Sequence, residues 1–352
     1  MRVIVSGISG SGRSDAITDL ENYLRKNYPK KTIVIMNTNQ MMWKTARELR
    51  MDVKREKMLD LSPPTLQALR STVFERILKE VEELEEEHDE LAIIINTHAT
   101  FRWREHLLAG WDFFYLTKLN PDLFITIINV INQIYETLEA NTLWKGMNNR
   151  FQLGIWQEEE AFTTKLMAET LKKPFYIVAR HQPPETLYRL IFEHEVSEKV
   201  YLSYPMTHLE EDSKKKEIKT LARKLRDLGF VVFDPGTMEL EKKMNDIPED
   251  IRVFDFYQTV YRDFQLIDQG TMVIVFYPEI VHSSGVVNEQ AYGFRNNKYV
   301  FAVFPTEHFS PFTSFFSDKT FMSVEALITY LREEFIPSRR LMMDHKNDAK
   351  RI

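Results

Sequence analysis

Cysteine is absent from the 352 residues, which excludes disulfides, thiol catalysis and thiolate metal sites. A basic excess is missing too. Lys and Arg number 46 against 52 Asp and Glu, a net charge of −6, so nucleic acid is not expected as the main ligand. No apolar run approaches the roughly 20 residues needed to span a bilayer. Residues Met1 to Gly7 run straight into a strand and turn, with no signal-peptide core, and a cytoplasmic protein without membrane attachment is expected. What remains, 43% hydrophobic and 28% charged, is the composition of an ordinary globular protein. The chain is long for one core, so two domains are the default expectation.

Apolar, β-branched runs in the first half read as buried strands: Val3–Val5, Thr32–Met36, Ala92–Ile95, Leu123–Ile128 and Phe175–Ala179. Helical patterns separate them, most clearly Leu66–Glu87, with apolar residues at three- and four-residue spacing. This alternation predicts a parallel sheet with helices on both faces. The acidic run Glu80–Glu90 reads as the solvated face of its helix. After a helix around Pro184–Glu195 the pattern restarts with the strand Val200–Ser203 and a Lys-rich helix, Asp212–Leu228, stopped by Gly229. The strand Phe230–Phe233, a helix about Val253–Asp268, the strand Thr271–Tyr277, a helix beginning near Glu289 and the strand Tyr299–Phe304 follow. A boundary near residue 196 is expected. Pro337–Ile352, charged and aperiodic, reads as a mobile tail or a subunit-contact arm.

Two segments carry chemistry. The first is Gly7-Ile8-Ser9-Gly10-Ser11-Gly12-Arg13-Ser14, between the first strand and a helix, the context a phosphate-binding loop requires. Glycines let backbone N–H groups turn toward a phosphate, and the helix N-terminus adds positive potential. Gly7, Gly10, Ser11, Gly12, Arg13 and Ser14 are the candidate phosphate contacts, and Ser14 is the candidate Mg²⁺ ligand. The structural alternative is a Gly/Ser-rich turn without ligand. Arg13 stands where the pattern calls for lysine, and a planar guanidinium is not equivalent to a compact ammonium.

Residues 1–195 resemble archaeal-type adenylate kinases, on this loop, on Val53–Met58, on Asn96-Thr97-His98-Ala99 and on Leu119-Asn120-Pro121-Asp122. The departures fall where phosphoryl transfer needs charge. Arg13 replaces the loop lysine, Leu59 an arginine expected to hold the acceptor nucleotide, and Asn96 a carboxylate near the metal. The segment matching the family's lid, Asn141–Gln157, carries only Lys145 and Arg150. Phosphoryl transfer depends on positioning and charge neutralisation, so nucleotide binding as a regulator or scaffold is expected rather than efficient kinase activity. ATP with Mg²⁺ is the cofactor pair the loop allows for. His98 at a strand end reads as structural, and His106 and His181 have no metal-ligand spacing.

The second segment, Ser283-Ser284-Gly285-Val286-Val287-Asn288-Glu289, places a small-residue turn before a carboxylate and follows an apolar strand. Hydroxyls and backbone N–H groups suit a phosphate or sugar, and a carboxylate beside them suits attack on an anomeric carbon. Residues 199–335 resemble the nucleoside 2-deoxyribosyltransferases and their relatives, the nucleoside 5′-monophosphate N-glycosidases. The motifs are Val200–Pro205, Gly229–Pro235, Tyr261-Arg262-Asp263 leading to Ile267, Ser283–Glu289 with Ala291-Tyr292-Gly293, and Lys298–Val300. The resemblance implies Glu289 as nucleophile, Asp263 as proton donor to the leaving base and Tyr201 as the residue orienting Glu289. Ser203, Tyr204, Ser283, Ser284 and Gly285 would line the substrate. The structural alternatives are a helix-start glutamate at 289, a surface Arg262–Asp263 pair and a core Tyr201.

Within that resemblance, free-nucleoside transferases carry aspartate six residues before the glutamate and monophosphate hydrolases carry serine. Ser283 therefore points to a 5′-phosphate, which a carboxylate would repel. Tyr204 replaces a usual glycine and is expected to narrow the pocket or stack on a base.

Together these resemblances imply an α/β protein: a P-loop kinase-like parallel-sheet domain over 1–196, a smaller doubly wound flavodoxin- or Rossmann-like domain over 197–336, and a tail over 337–352. The expected activity is cleavage of the N-glycosidic bond of a nucleoside 5′-monophosphate, by hydrolysis or transfer, needing no cofactor. A bifunctional kinase/deoxyribosyltransferase, a non-catalytic nucleotide sensor and NAD cleavage are the alternatives. A nucleotide is the expected partner, and the resemblance implies homo-oligomerisation.

Overall fold

The computed structural model describes residues 1–87, 91–103, 106–206, 211–238, 249–306 and 310–341. Residues 88–90 of the acidic run and 342–352 of the expected tail lie outside the described residues. The chain divides into two compact units, Met1–His194 with Thr237–Phe256, and Glu195–Gly236 with the chain from Tyr257 onward. The division thus begins at Glu195, and Thr237–Phe256 groups with the first unit rather than the second. Among the described residues of that segment, Met238 packs with Ile128, Ala161, Ile177 and Ala179.

The first unit begins β1 (Arg2–Ser6), α1 (Arg13–Asn27), β2 (Thr32–Asn37), α2 (Thr38–Glu48), α3 (Pro63–Glu87) and β3 (Leu91–Asn96). A short hairpin, β4 (Thr100–Trp103) and β5 (His106–Ala109), precedes α4 (Phe113–Leu119) and β6 (Leu123–Ile128). The unit continues with α5 (Ile131–Glu139), α6 (Arg150–Thr170), β7 (Phe175–Ala179) and α7 (Pro184–Phe192). Its sheet runs β2-β3-β1-β6-β7, every pair parallel. Every residue of β3 and β6 is buried, as expected of central parallel strands covered on both faces. The strand order reverses at β1, so the loop after Ser6 opens at a topological switch point, where open parallel sheets bind ligands.

Two features differ from the sequence expectation. The antiparallel pair β4–β5 was not anticipated, its strands being only four residues each. The segment expected as a lid is also packed: Trp144 lies 5.4 Å from Trp103, edge to face, and 5.5 Å from Trp156. Leu143 and Met147 join the same apolar cluster. Packing of the indole rings anchors this turn.

The second unit contains β8 (Lys199–Ser203), α8 (Asp212–Asp227), β9 (Val231–Phe233), the C-terminal part of α9 (Glu249–Asp268), β10 (Met272–Phe276) and α10 (Ser284–Arg295). It ends with β11 (Tyr299–Val303), α11 (Pro311–Phe315), β12 (Lys319–Phe321) and α12 (Val324–Tyr330). Its sheet, β12-β11-β10-β8-β9, is wholly parallel and has the flavodoxin-like order, with its switch point between β8 and β10. The protein is thus a mixed α/β protein of two doubly wound parallel sheets flanked by helices.

Residues 336–341 continue the helix after a wider turn at Leu331–Phe335, into the start of the segment expected as a tail. Arg339 holds Glu198 at 2.7 Å and lies over the Tyr299 ring. Among the described residues no helix is long and apolar enough to cross a membrane.

Candidate active site

In the second unit the site forms where β8 ends and α10 begins. Ser283, at the N-cap of α10, accepts a hydrogen bond from the Val286 N–H through its side chain and from the Val287 N–H through its carbonyl. Ser284 and Gly285, both exposed, form the first turn, whose N–H groups precede the first intrahelical bond. One turn further, the same helix turns Glu289 inward, 9% exposed. Gly293, four residues on and on the same face, lets the helix lie close to the sheet. A Cβ there would sit 2.6 Å from Val273 Cγ2 on β10.

Glu289 meets hydroxyls from β8. Ser203 Oγ donates to Glu289 Oε2 at 2.5 Å. Tyr201, two residues earlier and fully buried, brings its hydroxyl near both Glu289 and Asp263. That hydroxyl has no hydrogen bond of full geometric quality, yet it stabilises the Glu289 carboxylate. Burial raises the Glu289 carboxyl above the ordinary range, and the Ser203 and Tyr201 hydroxyls oppose the rise. Burial first, then the charges of Glu289 and Asp263, hold Tyr201 well above its ordinary value, so it stays a neutral donor. Tyr277, beyond β10, is pushed up to about 12 by burial and by Glu289.

The expected residues are therefore sorted by the fold. Tyr201, Ser203 and Glu289 converge, and Asp263 lies beside the Tyr201 hydroxyl. Ser203, the last residue of β8, engages the Glu289 carboxylate. Tyr204, expected to reshape the pocket or stack on a base, donates to Asp234 Oδ1 at 2.7 Å, and the Gly236 N–H donates to the same oxygen at 3.0 Å. A carboxylate in the turn after β9 thus fixes the phenol.

In the first unit the loop after β1 borders a cavity of about 600 Å³. Gly12 caps α1 in the left-handed region, φ 76°, with Arg180 packed against it: a Cβ there would lie 2.8 Å from Arg180 Cδ. Arg13 turns back beneath the loop, donating to the Gly7 carbonyl at 2.6 Å and to the Thr97 carbonyl. Burial lowers its guanidinium to about 10, opposed by Glu160. Glu160, completely buried on α6, accepts from the Gly7, Ala99 and Thr100 N–H groups and from the Thr100 hydroxyl at 2.7–2.9 Å. Burial still raises its carboxyl. His98 is held well below its ordinary value by burial, then by Arg13 and Arg70.

Neither Glu160 nor Arg180 stands out in the sequence. Glu160 is the third of three consecutive glutamates, and only its helical phase with the apolar Leu153, Trp156 and Met167 signals burial.

The Mg²⁺ that such a loop implies fits these residues poorly. Asn96, replacing a strand-end carboxylate, donates from Nδ2 to Ser14 Oγ at 3.2 Å, engaging the hydroxyl meant for the metal. Among the described residues no group of three His, Asp or Glu side chains is placed to hold an ion.

No family model matches the chain, and no curated protein matches it. A solved structure of a 2-deoxyribosyltransferase from Bacillus psychrosaccharolyticus is similar over 38% of this chain and 91% of that one, at 20% identity and a TM-score of 0.31.

Proposed function

We propose that the second unit cleaves the N-glycosidic bond of a nucleoside 5′-monophosphate. The observation that carries this is the buried Glu289 at the sheet's switch point, held by hydroxyls of Ser203 and Tyr201. A carboxylate withdrawn from water and oriented by donors is poised to attack an electrophilic carbon.

In the proposed reaction a Glu289 oxygen bonds to C1′ as the C1′–N bond breaks. The electron pair passes to the base nitrogen, which takes a proton from Asp263. Water, giving its proton back to Asp263, then attacks C1′ of the glycosyl ester and frees Glu289. A second base in place of water gives transfer. The exposed first turn of α10 offers the Ser284 and Gly285 N–H groups, with the Ser283 hydroxyl as donor, to the 5′-phosphate.

Incubating the protein with a panel of nucleoside 5′-monophosphates and separating the products tests the proposal. Free base is expected from the native chain and none from E289Q with the fold retained. Equal base release from both would overturn the assignment.

For the first unit the favoured role is nucleotide binding without phosphoryl transfer. Arg13 is committed to carbonyls of Gly7 and Thr97, and a group so held does not follow a moving phosphoryl. Measurable phosphate transfer from ATP to a nucleoside monophosphate would restore the bifunctional alternative.

A further inference from the structure

The loop cavity of the first unit holds two guanidinium groups, Arg13 and Arg180, in different circumstances. Arg13 is 9% exposed, its Nη1 shared between two backbone carbonyls, so moving it would strand both. Arg180, just after β7, leans on Gly12 and is held by the surface carboxylate Asp19, Nη1 to Oδ2 at 2.9 Å. Asp19 is about half-exposed, and solvent on the carboxylate side weakens a pair of this kind. Arg180 is thus the cation that can change partner.

Other polar groups border the same space without partners. His98, 7% exposed, lines the cavity with its Nδ1 unbonded, and the buried Arg13 Nε is likewise unbonded. Such atoms incur a desolvation penalty unless a ligand meets them. The groups that would recruit a divalent cation are engaged or solvated: the Ser14 hydroxyl accepts from Asn96, and the carboxylates lining the cavity, Asp15 and Glu136, are exposed.

We infer that a phosphate ester enters this loop without a divalent cation, and that Arg180, released from Asp19, supplies the charge that Mg²⁺ would otherwise bring. The inference rests on the loop being a phosphate site. The N-terminus of α1 provides the N–H groups, and the planar fork of Arg180 suits two phosphate oxygens. Asp19 then acts as an internal competitor, occupying Arg180 until an anion displaces it.

Isothermal titration of the full chain with ATP and with inorganic pyrophosphate, in excess EDTA and again in excess Mg²⁺, tests this. Binding in EDTA is expected, and Mg²⁺ should not strengthen it. R180A should weaken binding roughly tenfold or more, the scale of a lost charge-assisted hydrogen bond. D19N, which removes the competitor, should tighten it. Because D19N alters only a surface pair, it keeps the inference testable should R180A fold poorly. Binding that requires Mg²⁺, or that is unchanged in R180A and D19N, would overturn the inference. Binding of neither probe under either condition would instead remove the phosphate reading of the loop itself.

Discussion

Ser203 and Glu289, 86 residues apart in sequence, are joined by a 2.5 Å hydrogen bond in which the hydroxyl at the end of β8 donates to the carboxylate on α10. The bond sets both the position of Glu289 and its proton affinity. Burial drives the carboxyl toward its neutral form, and the bond pulls it back. A nucleophile must be ionised, so the Ser203 hydroxyl, together with that of Tyr201, extends the pH range in which Glu289 is competent toward acid.

S203A should therefore raise the Glu289 pKa further and move the acidic limb of the pH–rate profile upward. A hydrogen bond to a charged group is worth about 1.5–3 kcal/mol, which corresponds to roughly one to two pH units. Activity well above the limb should change far less. An unshifted limb would show that Ser203 does not act through the carboxylate.

E289Q should lose base release and gain stability at neutral pH. The Glu289 pKa is raised in the folded state. Its stabilising contribution is accordingly complete below the ordinary glutamate range and is lost as pH rises through the folded value. Gln carries no charge to desolvate, so the melting temperature of E289Q should exceed that of the native chain near pH 7. The gap should close at acid pH. A lower melting temperature for E289Q at both pH values would contradict the burial argument.

G293A should disturb the site without touching it. The added Cβ would lie 2.6 Å from Val273 Cγ2. Overpacking of this kind costs about 1–3 kcal/mol and would lift α10, with Glu289 on it, from the sheet. The double variant V273A/G293A should recover part of the loss, read by denaturant unfolding and by base release together. No recovery would place the defect elsewhere.

E160A should destabilise the first unit severely. It leaves donors from Gly7, Ala99 and Thr100 unpaired and the buried Arg13 without its opposing charge. Removing one member of such a buried arrangement costs about 3–5 kcal/mol. A thermal transition within a degree or two of the native one would show that the loop does not depend on this carboxylate.

Much of the architecture was legible in the chain. The runs Ala92–Ile95 and Leu123–Ile128 mark β3 and β6 because a strand buried on both faces must be apolar throughout. The sequence placed the start of the next helix near Glu289, whereas α10 begins at Ser284 with Ser283 as its N-cap, because a small hydroxyl residue can satisfy the first free N–H groups. The hairpin β4–β5 was not legible, its strands being too short for a periodicity to register. The packed turn around Trp144 was hidden for another reason: its partners, Trp103 and Trp156, come from a separate strand and helix.

Sequence alone determined the two parallel sheets, the loop after β1 and the carboxylate after the serine turn, because hydrophobic period and turn chemistry are local properties of the chain. Tertiary structure decided which way the decisive side chains face. Arg13 turned under its loop, Ser203 toward Glu289 and Tyr204 toward Asp234 because their partners come from elements 30 to 86 residues away, or from backbone carbonyls that only the folded loop presents. A burial pattern says that a polar group is inside. Only packing says what satisfies it.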